Sequence, residues 1–190
     1  MRPDSLKYTH KAKEQCMKMG YAAIFICFFA VFVMSGCSKP SQLGVELKRF
    51  PVDSLDGIIT QSGAELDKDT SSDGKGSLRI IAAGPTVVRL FEVSDVDVEN
   101  ARLTYRAKLR SEKLDGQAFL EMWCSFPGKG EFFSRGLQNP VTDTMNWITA
   151  ETPFFLKKGE KPDVIKLNLV IDGKGTVWID DIRLSKGPLQ

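Results

Sequence analysis

The sequence predicts an all-β protein, with antiparallel strands packed as a sandwich or barrel. Residues 101–110 alternate between apolar and polar side chains, and residues 117–126 carry an apolar residue at every second position, which is the two-residue period of a half-buried strand. Two β-branched runs, residues 76–83 and 86–93, are separated by a Gly84-Pro85 turn signal. Beyond the first 36 residues no window shows a helical period of 3.6, so we expect no helix there.

The first 36 residues form the first element and resemble a secretory leader. Four lysines precede an uncharged apolar run that covers residues 19–36 and ends in small residues before Cys37. The run Val-Met-Ser-Gly-Cys resembles the lipobox of bacterial lipoproteins. This resemblance implies that Cys37 becomes the lipidated first residue of an extracytoplasmic, membrane-anchored protein. Ser38 after the cysteine favours the outer membrane in a cell that has one.

The same leader has two other interpretations. An 18-residue uncharged run lies at the lower limit for a transmembrane helix, so residues 19–36 could stay as a membrane anchor. Ordinary cleaved secretion is the third. In each case the lysines before the apolar run place the remainder outside the cytoplasm.

The chain after the leader is nearly neutral. The leader holds five of the 26 Lys and Arg residues and two of the 24 Asp and Glu residues, which leaves a net charge of −1 on the last 154 residues. A nucleic-acid partner is therefore not expected. This length suits one domain with a hydrophobic core.

Cysteine and histidine usage excludes most hydrolytic chemistry. His10 is the only histidine and lies in the leader, so the domain cannot build a Ser-His-Asp triad, a Cys-His pair or an ordinary zinc site. Cys124 is the one cysteine beyond Cys37, which excludes an internal disulfide once Cys37 is lipidated. Its place in an alternating apolar run predicts a buried side chain.

The strands are predicted to pair as hairpins. A loop at residues 111–116 would join 101–110 to 117–126, with Arg106 facing Glu121 and Thr104 facing Trp123. A second loop at residues 172–175 would let Leu169 face Ile179 through a bulged or three-residue turn.

The final third of the chain resembles the galactose-binding-like jelly roll of many carbohydrate-binding modules. The likeness rests on Trp147, residues 154–159, residues 164–171, the closing run Gly-Thr-Val-Trp-Ile-Asp-Asp-Ile-Arg-Leu and the Ser-Asp-Gly turn at 72–74. It implies a jelly-roll β-sandwich over residues 48–186, between a tether at 37–47 and a tail at 187–190. It also implies that Trp147 packs inside.

The resemblance further implies a structural calcium ion, although no cofactor is required. The matching positions are Asp181, Asp180 and Asp73, with Asp53 or Asp56. Calcium needs six to eight oxygen ligands, so several carboxylates and carbonyls would have to converge. The alternative is that Asp181 begins a bulge and the others are polar turn residues.

The candidate ligand-binding residues are aromatic or charged. Trp123 lies opposite the apolar side of its strand, beside Glu121 and across from Arg106 in the predicted hairpin, which would form a platform for a sugar ring. Arg106 and Glu121 could instead be a plain cross-strand ion pair. Trp178 is out of phase with its apolar neighbours and could either bind ligand or cover the sheet.

The segment 126–136 adds Phe132, Phe133 and Arg135 to the candidates. Loops at the end of a sandwich collect binding residues, and aromatic and arginine side chains anchor interfaces. The alternative is that the two phenylalanines pack inward and close the end of the barrel.

Three functions remain open from the sequence. The first is non-catalytic glycan binding by a surface lipoprotein, and the second is docking of an envelope protein. The third is a glycosidase, which needs two carboxylates flanking a cleft, and Glu121 and Glu131 could supply them. We expect no enzyme, because a small lone sandwich seldom encloses such a cleft.

Overall fold

The computed structural model describes residues 44–189 and confirms the all-β prediction: these residues form eight strands joined by turns and loops. The strands are β1 (Val45–Phe50), β2 (Ala64–Asp67), β3 (Ser77–Ala82), β4 (Thr86–Ser94), β5 (Ala101–Phe126), β6 (Gly130–Arg135), β7 (Val141–Leu156) and β8 (Val164–Gly187). All their pairings are antiparallel. Within this part of the chain no helix has the length and apolarity needed to span a bilayer. The leader and Cys37 lie outside the described residues.

Two long strands organise the sheet. β5 and β8 pair with each other almost throughout, from Arg102 opposite Gly187 to Ser125 opposite Val164. We call one part the β7 half, where β1, β2, β3 and β7 flank the first part of β5 and the last part of β8. The β6 half is the other part, where β4 and β6 flank the rest of the two long strands.

The long pair bends at three glycines. Gly116 lies directly opposite Gly173, and both have φ between +120° and +160°, at 124° and 153°. A Cβ on either glycine would overlap the carbonyl oxygen of the facing strand, that of Asp172 or of Asp115. A Cβ on Gly175, where φ is 147°, would lie 2.6 Å from the Cα of Leu114. Only glycine fits this close approach.

The bend places the two halves around one core. In the β7 half, Leu103, Tyr105 and Leu109 of β5 are buried, and in the β6 half Leu120 and Met122 of the same strand are buried. All belong to one continuous apolar cluster, so each half has one core face and one outer face. Cys124 is in this cluster as predicted, and burial raises the pKa of its thiol to about 12.

Aromatic contacts close both open edges of the sandwich. Phe50 of β1 stacks on Phe91 of β4 with ring centroids 3.9 Å apart. At the other edge, the rings of Phe126 on β5 and Phe154 on β7 are 6.2 Å apart. Each contact joins the β7 half to the β6 half. The architecture is therefore the expected antiparallel sandwich, made from one folded sheet.

The two predicted hairpins are wrong. Residues 101–110 and 117–126 are one strand, β5, and residues 164–171 and 175–184 belong to one strand, β8. The sequence predicts turns at the glycines of both segments. The actual role of these glycines is to let two paired strands bend together, with backbone hydrogen bonds running from strand to strand on both sides of the bend.

Folding at the bend brings the tips of the long strands together. The start of β5 pairs with the end of β8, and the end of β5 pairs with the start of β8. The Phe126–Phe154 contact shows that all four strand tips lie at the same end of the sandwich. We call this the tip end and the opposite one the bend end. The described chain begins at the tip end, because Val45 pairs with Lys186. β1 thus starts inside the predicted tether, and β8 extends into the predicted tail.

The glycine bend gives the first prediction. We expect Gly173→Ala to lower the free energy of unfolding by about 3 kcal/mol, because an added Cβ overlaps the opposite strand and the φ value is strained. Gly84→Ala is the matched control, since nothing lies within 4 Å of its added Cβ. Denaturant unfolding of the purified protein measures the stability of both variants. Small and equal losses of unfolding free energy would contradict the requirement for glycine at the bend.

Candidate functional site

The outer face of the β6 half carries a cluster of polar and aromatic side chains. Glu121 and Trp123 project from β5, opposite Arg135 and Phe133 of β6 respectively. On the other side of β5, Asn168 of β8 faces Glu121. Since alternate residues of a strand share a face, these five side chains lie opposite the core residues Leu120, Met122 and Cys124. We call them the Trp123 cluster.

Glu121 is the centre of this cluster. It accepts hydrogen bonds from Trp123 Nε1 at 2.6 Å, from Arg135 Nε at 2.7 Å and from Asn168 Nδ2 at 3.2 Å. Its side chain is only 4% exposed. Burial raises the pKa of this carboxyl, but the hydrogen bonds from Trp123, Arg135 and Asn168 outweigh it and hold the pKa below its ordinary value. Glu121 therefore stays ionised and fixes its three donors.

The aromatic rings form a platform above this carboxylate. The rings of Trp123 and Phe133 lie 4.9 Å apart at an angle of 43°. The Arg135 guanidinium carbon sits 4.7 Å from the Phe133 centroid, within cation–π range. Phe133 remains 50% exposed and Trp123 is half-buried. Two rings with fixed orientations thus face solvent beside a guanidinium group.

A shallow depression extends this surface towards the bend end. It has a volume of about 340 Å³ and is lined by Val87, Phe119, Arg135 and Val170, among others. On the other side of the Trp123 cluster, Lys166 pairs with Glu131, which also accepts a hydrogen bond from Ser125 Oγ at 2.6 Å. Apolar and polar groups therefore alternate along one outer face.

The structure separates Arg106 and Trp178 from this cluster. Arg106 lies on the β7 half, where it pairs with Glu151 at 2.8 Å and stands opposite Arg183. The sequence predicts that Arg106 faces Glu121, and that Thr104 faces Trp123, across a hairpin. Both pairs are wrong because residues 101–126 form one strand, β5, with no turn between them. Trp178 is also on the β7 half and is buried.

Trp178 covers the sheet and Trp147 does not reach the core. The Arg110 guanidinium lies 5.3 Å from the Trp178 ring, whose Nε1 donates to Asp67 Oδ2 at 2.8 Å. This hydrogen bond is the main cause that lowers the pKa of Asp67. Trp147 on β7 is half-buried and is absent from the apolar core, contrary to the packing that the resemblance implied.

The segment 126–136 is a hairpin rather than a loop. Phe126 and Gly130 pair at its turn, and β6 carries both phenylalanines. Phe133 joins the Trp123 cluster, whereas Phe132 projects from the opposite side of β6, with its ring 5.9 Å from that of Phe126. Both remain about half exposed, so neither fully closes the sandwich end.

The proposed calcium ligands do not fit a calcium ion. Asp180 accepts backbone N–H groups of Ser72 and Asp181 on its two oxygens, and Asp181 is paired with Arg49 and Arg183. Among residues 44–189, no three His, Cys, Asp or Glu side chains are grouped to hold a metal.

Asp73 and Asp53 add little to such a site. Asp73 Oδ1 accepts the Lys75 N–H, and the Lys68 ammonium lies 2.7 Å from the backbone oxygen of Asp53. One oxygen of the Asp53 carboxyl is buried without a partner in the described chain. A single such oxygen falls far short of a calcium shell.

Asn168 and Lys166 were missed from the sequence. Both lie in the run 164–171, which the sequence predicts as one strand of a hairpin. The available signal was their position: each is polar and out of phase with Ile165, Leu167 and Leu169. Placing them beside Glu121 and Trp123 needs the long-range register of β8 on β5.

Comparison with known proteins identifies the fold. No family model matches the chain, and no curated protein matches it in sequence. Among solved structures, the CBM22-1 xylan-binding domain of Paenibacillus barcinonensis Xyn10C aligns with a TM-score of 0.56 and 12% identity, over 77% of this chain and 97% of that one. A xylan-binding domain of CBM family 22 aligns with a TM-score of 0.51 and 12% sequence identity, over 78% of this chain and 99% of that one.

A further structure gives the same result. The CBM22-1–GH10 modules of Clostridium thermocellum xylanase 10B, complexed with xylohexaose, align with a TM-score of 0.54 and 9% identity, over 75% of this chain and 28% of that one. The fold is therefore the jelly-roll β-sandwich of carbohydrate-binding modules, as the sequence resemblance implied. At such low sequence identity, these structural alignments establish the fold alone. The function has to be argued from the side chains of this chain.

The Glu121 network gives the second prediction. A lowered pKa means that the charge of Glu121 stabilises the fold above the ordinary glutamate pKa, and that this contribution is lost as pH falls through the folded-state value. We expect Glu121→Gln to cost about 1–3 kcal/mol of unfolding free energy at pH 7 and clearly less near pH 3.

The control for this measurement is Glu151→Gln, whose carboxylate pairs with Arg106 but is 54% exposed. We expect it to change stability by less than about 1 kcal/mol. Denaturant unfolding at both pH values measures the two variants. If the loss of unfolding free energy in Glu121→Gln is as large near pH 3 as at pH 7, the charge of Glu121 is not what stabilises the cluster.

Proposed function

We propose that this protein binds carbohydrate without modifying it, through the Trp123 cluster. The observation that carries the proposal is the pair of oriented rings, Trp123 and Phe133, next to Arg135 and held from below by the buried Glu121 carboxylate. Sugar rings present flat apolar C–H faces and hydroxyl edges. A site that combines exposed aromatic rings with a few fixed polar groups matches both features.

The binding mode follows from this arrangement. A pyranose ring would pack on Trp123 or Phe133, and Arg135 would donate hydrogen bonds to its hydroxyl groups. Glu121 is too buried to touch the ligand, so it is a positioning residue for Trp123, Arg135 and Asn168. The depression beside Val87 and Phe119 leaves room for further sugar units. The folds that align with this chain include xylan-binding domains, which makes xylan the first polysaccharide to test.

The carboxylates of this face support binding over hydrolysis. A glycosidase needs a general acid that is still protonated near neutral pH and reaches the glycosidic oxygen. The pKa of Glu121 is lowered and its side chain is buried. The pKa of Glu131 is also lowered, by hydrogen bonds from Lys166 and Ser125. Neither group suits the role of the acid.

We further propose that the binding domain is held on the outer surface of a membrane. Support comes from the leader, in which lysines precede the uncharged run 19–36, and from Cys37 in a lipobox-like context. Ser38 favours the outer membrane where the cell has one. The protein would then present the Trp123 cluster to envelope or environmental glycans.

The third prediction concerns Trp123. We expect Trp123→Ala to weaken retention on a bound polysaccharide by at least about tenfold, which corresponds to about 1.4 kcal/mol, because the stacking surface is lost. Affinity electrophoresis over a panel of xylan, cellulose, mannan, galactan and peptidoglycan measures retention. Circular dichroism checks the fold. Trp147→Ala is the matched control, since this half-buried tryptophan lies on β7, outside the cluster.

Two outcomes of this experiment would contradict glycan binding. One is that the parent protein is retained on no polysaccharide, and the other is that Trp123→Ala and Trp147→Ala are retained equally well. Either result would favour docking of an envelope protein on the same face.

The fourth prediction concerns the anchor. We expect Cys37→Ser to move the protein from the membrane fraction to the soluble extracytoplasmic fraction, because the lipid is attached to the thiol. Fractionation and detergent phase partitioning measure this. Membrane association that persists in Cys37→Ser would show that residues 19–36 are kept as a span. A parent protein found only in the soluble fraction would contradict anchoring altogether.

A further inference from the structure

An aromatic groove lies at the tip end of the sandwich, away from the Trp123 cluster's polar centre. Its volume is about 340 Å³ and it runs between the edge strands β6 and β7. Five phenylalanines line it, together with two lysines and one glutamate: Phe126, Phe132, Phe133, Phe154, Phe155, Lys129, Lys157 and Glu160. Phe132 and Phe155 are each 52% exposed. Two large apolar side chains thus face solvent at one place, which is typical of a contact surface.

Lysines surround this groove. Lys129 lies in the turn between β5 and β6, and Lys157 and Lys158 follow the end of β7; all three are exposed. None of the three forms an ion pair with another residue of the 44–189 region, whereas Lys161 nearby is paired with Asp97 and Glu99. The exposed phenylalanines are therefore bordered by three lysines that form no ion pair in the described chain, and by one carboxylate, that of Glu160.

The described chain begins at the same end. Val45 pairs with Lys186, Lys186 faces Leu103, and Leu103 faces Phe154 across the sheet. The backbone N–H of Asn100 also donates to the Lys157 carbonyl oxygen at 3.3 Å. Gly44, the first described residue, is thus about three strand spacings, roughly 15 Å, from the wall of the groove.

The segment before Gly44 is short. Cys37 precedes Gly44 by seven residues, which reach at most about 25 Å when fully extended. The apolar run 19–36 ends immediately before Cys37. Whether a lipid on Cys37 or a retained span holds the protein, a tether of this length keeps Gly44 within about 25 Å of the bilayer.

We propose that the aromatic groove is a membrane-contact surface, through which the domain rests on the lipid bilayer that anchors it. This inference rests on the anchoring in the proposed function and does not require glycan binding, although Phe133 belongs both to the groove and to the Trp123 cluster. Phe132 and Phe155 enter the interfacial region, where aromatic side chains are favoured, and Lys129, Lys157 and Lys158 contact anionic headgroups. The domain then has a fixed orientation on the membrane surface.

Contact of the groove with the membrane would also fix the direction in which the Trp123 cluster faces. One attachment point allows a tethered domain to rotate freely, whereas a second, weak contact restricts it without needing high affinity, because the tether keeps the two surfaces close. The Trp123 cluster lies on the outer face of the β6 half, adjoins the groove at Phe133, and would remain accessible from the side.

Tryptophan fluorescence in brominated vesicles tests this surface. Full-length protein is reconstituted in vesicles of phosphatidylcholine and phosphatidylglycerol, with or without brominated acyl chains that quench nearby indoles. The variants are Phe132→Trp and Phe155→Trp, which keep an aromatic ring, and Lys174→Trp at the bend end as control. Lys174 is highly exposed, so each variant adds one indole without disturbing the core.

We expect the added fluorescence of Phe132→Trp and Phe155→Trp to fall by about half in brominated vesicles, and that of Lys174→Trp to remain unchanged. Protein that floats with the vesicles but shows no extra quenching at either phenylalanine position would overturn the contact surface while leaving the anchor intact. Protein that does not float would overturn both.

The polysaccharide panel separates this proposal from glycan binding. The double variant Phe132→Ser with Phe155→Ser should be retained like the parent protein. A loss of retention similar to that of Trp123→Ala would assign the groove to the glycan site and overturn its role at the membrane.

Discussion

The crossing of Gly116 and Gly173 is the constraint on which this structure depends. β5 and β8 pair over almost their full length, and a straight ribbon of that length would expose one apolar face along its whole extent. Because the backbones approach too closely at the crossing for any Cβ, the ribbon can bend there and fold its apolar face onto itself. The core, the two outer faces and the two ends of the sandwich all follow from this bend.

The bend also explains how the proposed glycan-binding face and the proposed membrane-contact end can coexist in one small domain. It divides β5 into a part that carries Arg106 on one outer face and a part that carries Glu121 and Trp123 on the other. It also gathers the strand tips, with their exposed Phe132 and Phe155, at the end where the described chain begins. The bend thereby decides which surface residues that are distant in sequence lie on the same face or at the same end.

Local patterns predicted the strands, and long-range pairing decided how they connect. Alternation located both halves of β5 and β8, because burial of one face repeats every two residues. Gly116, Gly173 and Gly175 are compatible with a tight turn and with a bend in a continuous strand. The presence of glycine at these positions therefore could not distinguish a hairpin from a bent strand. Glu121, Trp123, Phe133 and Arg135 were found because each is local to one hairpin. Asn168 was missed and Arg106 misplaced because both depend on the β5–β8 register.

The most direct test of the account is to titrate the 15N-labelled protein with the polysaccharide fragment that the panel identifies, beginning with xylohexaose. The chain has three tryptophans, so three indole N–H signals report on three separate places: Trp123, Trp147 and Trp178. If the Trp123 cluster binds the ligand, the Trp123 signal shifts with ligand concentration while the other two stay in place. Shifts at Trp178 or Trp147 with Trp123 unmoved would contradict binding at this cluster.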